Sequence, residues 1–211
     1  MMTKRNVRVL IISSIVILLP IIYGMMNYAQ LPADMVTHWG VNNQPNGWMP
    51  KAWAVYGLPF LMLALQWFIV IILRISAKKT GGAPRLERLV QWLIPVLTVV
   101  LYITTIRANL GFGVDIRRIA VGLVGAIFVL MGNYLPTVPA NGKTWGYHPT
   151  TNLKPELQAR VNRRMGQAMV ISGLLCLLSL FFSEIVSWLA VAIAIVSVIG
   201  VSIYGLRLSR R

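Results

Sequence analysis

Six stretches of the chain are apolar over most of their length: Val7 to Tyr28, Ala52 to Ile75, Leu89 to Ala108, Ile119 to Leu135, Ala168 to Ser183 and Ile185 to Leu206. A hydrocarbon core of about 30 Å takes roughly 20 residues to cross at ~1.5 Å each, and the fourth and fifth stretches are the short ones. Inside lipid no water can satisfy an unpaired backbone group, so each stretch is predicted to be a helix. The expected class is an all-α, polytopic integral membrane protein with six transmembrane helices. Two parts are expected: an N-terminal two-helix unit over 1–75 with a patterned loop at 29–51, and a four-helix unit over 76–211 with a second patterned loop at 132–166.

Composition agrees with this reading. Hydrophobic residues make up 57% of the 211 and charged residues 12%, with a mean hydropathy of +0.70. A soluble domain carries about 25% charge. The net charge of +15 would suit a nucleic-acid binder, but such a protein could not expose this much apolar surface, so no direct nucleic-acid partner is expected. Orientation explains the charge better. Of the 20 Lys and Arg, sixteen fall at the two termini, between spans two and three, and between spans four and five. Only Lys51, Arg107, Arg117 and Arg118 fall on the other side. The positive-inside rule then places both termini in the cytoplasm. Attraction to anionic headgroups, at about 1 kcal/mol per basic residue near the surface, adds to it. The first apolar run is longer than a signal-peptide core and is read as a retained anchor.

The middle of the spans carries no ionisable side chain. Gln66 and Gln91 are the clearest polar residues there, and hydrogen bonding within the bundle is the expected role of both. Pro20, Pro59 and Pro95 each interrupt a span and are expected to kink it. A small transporter or channel built around these kinks is the alternative function. Catalysis finds no constellation: His38 and His148 lie on opposite sides of the membrane, and Asp34 and Asp115 are the only aspartates. The lone cysteine, Cys176, is mid-span. No enzyme activity, metal or cofactor is expected.

Two loops carry pattern. The outer one, Leu31 to Lys51, is rich in turn formers: Gly40, Asn42-Asn43 and Pro45-Asn46-Gly47, the last being the strongest turn signal. Trp39, Trp48 and Trp53 suit the headgroup zone. Asp34 and His38 stand four apart and would pair if the stretch were helical. Two readings stand: an interfacial loop pinned by tryptophans, or a recognition surface made of Asp34, His38, Trp39, Asn46, Gly47, Trp48 and Lys51. The cytoplasmic loop runs from Gly132-Asn133-Tyr134-Leu135-Pro136 through Asn141, Trp145-Gly146 and His148. Thr151 or Asn152 would cap a helix with Pro155 and Glu156 in its first turn, and the chain would turn at Gly166 into the fifth span. Arg160, Arg163 and Arg164 share one face of that helix by 3/4 spacing. That face would lie on anionic lipid or dock a cytosolic protein. A loop of this length is uncommon in a bundle and often functional.

Both loops resemble those of the SdpI-type immunity proteins, small polytopic bacterial membrane proteins. In the outer loop Leu31-Pro32, His38-Trp39, Pro45, Gly47-Trp48 and Lys51 match the family pattern, with Gly40 in place of Asn and Asn46 in place of Asp. In the inner loop Gly132 to Pro136, Asn141, Trp145-Gly146, Leu153, Glu156, Arg164 and Gly166 match. His148 stands where the family has Arg, Thr150-Thr151 where it has Pro-Trp, and Ala159 where it has Trp. The resemblance implies protection against an extracellular peptide toxin, with the outer loop sensing it. It also implies a docking role inside, in which Asn133, Tyr134, Pro136, Asn141, Trp145, Gly146, His148, Glu156, Arg160, Arg163 and Arg164 recruit a cytosolic autorepressor.

Overall fold

The computed structural model describes residues 4–80, 82–140 and 153–209, and the chain is predominantly helical. Among the described residues, seven α-helices follow one another: α1 Lys4–Leu18, α2 Ile21–Met26, α3 Leu58–Thr80, α4 Pro84–Asn109, α5 Ile116–Tyr134, α6 Pro155–Ser179 and α7 Glu184–Ser209. Between α2 and α3 lie two strands, β1 Asp34–Trp39 and β2 Pro45–Pro50, paired antiparallel. The all-α expectation is corrected here. The patterned outer loop is a β-hairpin.

Five helical stretches are long and apolar enough to cross a membrane: Val7–Met26, Trp53–Lys78, Pro84–Asn109, Ile116–Thr137 and Glu184–Ser209. Only 17–28% of each span's most apolar window is buried. Ile11, Ile15, Leu19 and Ile22 are all more than half exposed along one stretch, which water would not tolerate and lipid tails do. The sixth stretch is the C-terminal part of α6. Its N-terminal half carries Glu156, Arg160, Arg163 and Arg164 on the same continuous helix. The expected turn at Gly166 is therefore corrected: the basic helix and the apolar stretch are one rod. Its N-cap is Lys154, with no side-chain cap, and Pro155 opens the first turn.

The chain forms two compact units, one of residues 1–71 and 90–117, the other of 72–89 and 118–211. In the first, the prolines free backbone carbonyls and side chains take them up, although α4 runs on unbroken through Pro95. Pro20 separates α1 from α2. Pro95 has no N–H to give the carbonyl four residues back, that of Gln91; the Gln66 Nε2 donates to it instead at 2.8 Å and to the Ser13 hydroxyl at 3.2 Å. Gln66 is wholly buried. Pro59 likewise deprives the Val55 carbonyl, at a wide π-helical turn over Trp53–Gly57. The Tyr102 hydroxyl donates to that carbonyl at 3.1 Å. Gly24 makes room for this, since a Cβ there would collide with the Tyr102 hydroxyl. Around the pair lies a core of Leu31, Met35, Ala54, Val55, Tyr102 and Ile106.

The second unit is closed by backbone proximity. On α5 and α6, Gly125 faces Gly173 and Gly132 faces Gly166, in antiparallel register. A Cβ at any of these four glycines would meet the carbonyl oxygen of its partner at 2.6–2.9 Å, closer than a side chain permits. Small residues at this spacing are how membrane helices approach closely. On the other side of α6, Cys176, Ala190, Ala194 and Val121 form a small core, and the Ser172 and Ser197 hydroxyls bond at 3.0 Å.

Candidate functional site

The hairpin is built on the first unit by its inward residues. Met35 on β1 is fully buried, and Leu31, just before the strand, is nearly so. The reversal occurs over Gly40 to Gln44, where the Gly40 N–H donates to the Gln44 carbonyl at 2.8 Å and Asn43 takes a positive φ of 59°. Asn tolerates that conformation better than most residues. Pro45-Asn46-Gly47, the strongest turn signal by sequence, instead lies in β2. With the turn over Gly40 to Gln44, Met35 faces the core.

Three of the expected recognition residues meet across the ladder. His38 pairs with Gly47, and its Nδ1–H donates to the Asn46 Oδ1 at 2.5 Å. Gly47 is glycine for space: a Cβ there would stand 2.9 Å from that of His38. Asp34 is exposed and sits opposite Pro50. Because β1 is a strand, Asp34 and His38 are separated along it rather than stacked by a helical turn. The expected Asp34–His38 pair is thus replaced by His38–Asn46. Trp48 is 59% exposed, while Trp39 is half-buried.

Lys51 does a different job from the one expected. Its ammonium donates to the carbonyls of Tyr28 at 3.2 Å and Leu31 at 3.0 Å, and lies 4.6 Å from the Tyr28 ring centre. These are the carbonyls at the end of the short 3₁₀ turn Tyr28–Gln30. Lys51 therefore ties the two ends of the hairpin together.

Sequence reading missed two residues that hold the hairpin in place. Asn109, the last residue of α4, grips Val36 at both ends: its Oδ1 accepts from the Val36 N–H and its Nδ2 donates to the Val36 carbonyl, each at 2.8 Å. Asn43 accepts from the Arg117 N–H in the first turn of α5 at 3.3 Å, satisfying one of that helix's otherwise unpaired amides. Beside it Arg117, itself buried, pairs with Asp115 at 3.2 Å. An Asn just past an apolar run was the available signal for the first.

In the second unit, α5 ends at Tyr134 and a 3₁₀ turn, Leu135–Thr137, follows. Pro136 lies against Gly166, where a Cβ would meet its ring at 2.9 Å. This brings Asn133, Tyr134 and Pro136 beside the helix that carries the arginines. Gln158, Val161 and Gly166 are buried on α6, whereas Glu156, Arg160, Arg163 and Arg164 are exposed. The Arg164 guanidinium lies 4.5 Å from the Tyr204 ring centre on α7. Asn141, Trp145, Gly146 and His148 lie outside the described residues. Among the described residues no group of three or more His, Cys, Asp or Glu is placed to hold a metal.

Comparison with known proteins bears on both ends of the chain. A family model described as a domain of unknown function, DUF1648, matches residues 15–63, from within α1 through the hairpin to the start of α3. The immunity protein SdpI of Bacillus subtilis (strain 168) is 23% identical over 198 residues, covering 93% of this chain and 91% of that one. That protein is named for immunity, not for a catalysed reaction. No solved structure matches the chain. The resemblance seen in two loops thus runs nearly end to end, and the protein is a multi-pass cell-membrane protein similar to the immunity protein SdpI.

Proposed function

We propose that this protein protects the bacterial cell that makes it against an extracellular peptide toxin, and relays the toxin's presence to a cytosolic repressor. The observation that carries this is the similarity to an immunity protein over nearly the full length of both chains. In this reading six helices cross the membrane, the C-terminal part of α6 being the sixth, and both termini are cytoplasmic. The hairpin then faces outward as the sensing surface of the 1–75 part. Asn133, Tyr134, Pro136 and the α6 arginines, together with Asn141, Trp145, Gly146 and His148, face inward in the 76–211 part as the docking surface.

The test is to express the chain in toxin-sensitive cells and challenge them with the small peptides secreted by the strain that carries the gene. Survival is the expected outcome, and unchanged killing overturns the proposal. An impermeant thiol reagent applied to intact cells is expected to label a cysteine placed at Val41, in the hairpin turn. Labelling only after lysis overturns the orientation.

A further inference from the structure

The two edges of the hairpin are not equivalent. In an antiparallel pair, residues alternate between those bonded across the ladder and those whose N–H and C=O turn outward. Val36 spends both its backbone groups on Asn109, so it belongs to the outward-turned set. The Lys51 N–H donates to the Ala33 carbonyl at 2.8 Å, which fixes the same alternation from the open end of the hairpin. Trp48 is the residue facing Val36. Its N–H and C=O therefore point away from β1, and among the described residues no bond from a turn or loop reaches either.

The outer edge of β1 is thus closed at Val36 by Asn109, whose amide imitates the peptide group of a third strand. The edge of β2 stays open, but narrowly. Pro50, two residues along and turned the same way, offers a carbonyl but no N–H. Such an opening resists indiscriminate edge pairing and still presents one donor and one acceptor at Trp48. We infer that the outward edge of β2 at Trp48 is where an extended segment of the extracellular peptide pairs, main chain to main chain, making the hairpin three-stranded.

This rests on the immunity reading and gives it a binding mode. Main-chain bonds supply affinity in strand addition, and neighbouring pockets read alternate side chains. Immediately after β2 the chain enters the wide turn, where an open groove of about 620 Å³ is lined by Ala52, Trp53, Tyr56, Gly57, Phe60 and Leu61. Its walls are almost wholly apolar, so it suits the apolar side chains of the peptide. Charge adds a preference. The ammonium of Lys51 is held by two carbonyls, while the Asp34 carboxylate stands exposed opposite Pro50; the edge favours a neutral or cationic segment over an acidic one.

Because the Trp48 N–H takes no part in the hairpin ladder, proline at this position removes the outward donor without deleting a ladder bond, while also fixing its own φ. Trp48→Val and Trp48→Pro both lose the indole, and their difference reads the N–H. Cells expressing each at equal membrane levels are challenged with the secreted small-peptide fraction of the strain carrying the gene. Trp48→Pro is expected to withstand about tenfold less of that fraction than Trp48→Val, the scale of one hydrogen bond. Equal protection by the two overturns the pairing and leaves the immunity reading intact. No protection by the unaltered chain overturns both. Should Trp48→Pro fail to reach the membrane, photo-cross-linking decides: benzoylphenylalanine at position 48 is expected to capture a secreted peptide, and at Val36 to capture none. Capture at Val36 but not at 48, or capture of a second copy of this chain at 48, overturns the inference.

Discussion

The two units solve one problem, closing a helix bundle in lipid, by opposite means. In the first, prolines strip hydrogen bonds from the backbone, and long polar side chains restore them: Gln66 for the Gln91 carbonyl and Tyr102 for that of Val55. Asn109 does the same for an open strand edge. In the second, nothing is stripped and the backbones themselves meet, glycine on glycine, between α5 and α6. Around the membrane-spanning helices of both, lipid replaces water, so hydrophobic burial does not drive those helices together. A unit held by side-chain donors is broken by lost polarity, and by bulk only where a donor is seated on a glycine, as Tyr102 is on Gly24. One held by backbone contact tolerates neither added bulk nor displacement.

The sharpest way to break this contrast is to add atoms where there is no room. Gly166→Ala is expected to cost about 1–3 kcal/mol, the range for overpacking, and Gly166→Leu to remove folded protein from the membrane. Gly132→Ala should match Gly166→Ala, since each Cβ would press on the other's carbonyl. Gly200, on α7, has nothing within 4 Å of an added Cβ. Gly200→Ala should therefore be neutral or up to about 1 kcal/mol stabilising, by helix propensity alone. Thermal midpoints in detergent give the comparison. Equal losses at 166 and 200 would show that backbone contact is not what closes this unit.

A subtler experiment removes polarity in the first unit. Gln66→Leu leaves the Gln91 carbonyl bare and is expected to cost about 1–3 kcal/mol. Pro95→Ala returns the missing N–H to that carbonyl. The double variant should recover about 1 kcal/mol of the Gln66→Leu loss, within what interhelical hydrogen bonds measure in membranes. Additive losses would mean that Gln66 serves Ser13 and not the proline-freed carbonyl.

Much of this architecture was legible in the chain. The apolar runs located the helices, because in lipid length and apolarity alone decide. The Leu31-Pro32 to Lys51 pattern located the hairpin without revealing that it was one. Its strands are short, Pro45 and Pro50 end one of them, and Pro45-Asn46-Gly47 reads as a turn on local chemistry. What overrode the local signal was tertiary: Met35 needed the core, and Asn109, 73 residues away, needed Val36. Lys51 stood out as a conspicuous charge on the less basic side, yet its partners are backbone carbonyls, which no sequence pattern advertises. The helix bearing Arg160, Arg163 and Arg164 was legible from their 3/4 spacing. Its continuity with the apolar half was not, since Gly166 looks like a break until Gly132 is seen opposite it.

Asn109 tests whether the hairpin's seat is local. Asn109→Leu keeps the bulk and loses both bonds to Val36, whose amide is part-buried. The hairpin should then open more readily by about 1 kcal/mol, which is roughly fivefold faster amide exchange over 34–50. Exchange in α6 and α7 should not change. Asn109→Asp retains an acceptor for the Val36 N–H but turns a negative oxygen toward the Val36 carbonyl. Protonation restores a donor, so this variant should regain protection as pH falls, whereas Asn109→Leu should not.

The smallest effect concerns the basic face of α6, where the three arginines look alike in sequence and differ in surroundings. The Arg164 guanidinium lies over the Tyr204 ring and so links α6 to α7; a contact of this kind at an exposed site contributes about 0.5–1 kcal/mol. Arg164→Lys keeps the charge but loses the planar stacking group, and should lower the thermal midpoint by part of that amount. Arg160→Gln and Arg163→Gln, both exposed, should stay within about 0.5 kcal/mol of the unaltered chain. If Arg164→Lys is as silent as the other two, Tyr204 is not a structural partner and all three arginines are equally free to meet headgroups or a cytosolic protein. If it alone shifts, the face divides into one residue that fixes the helix and two that are left to bind.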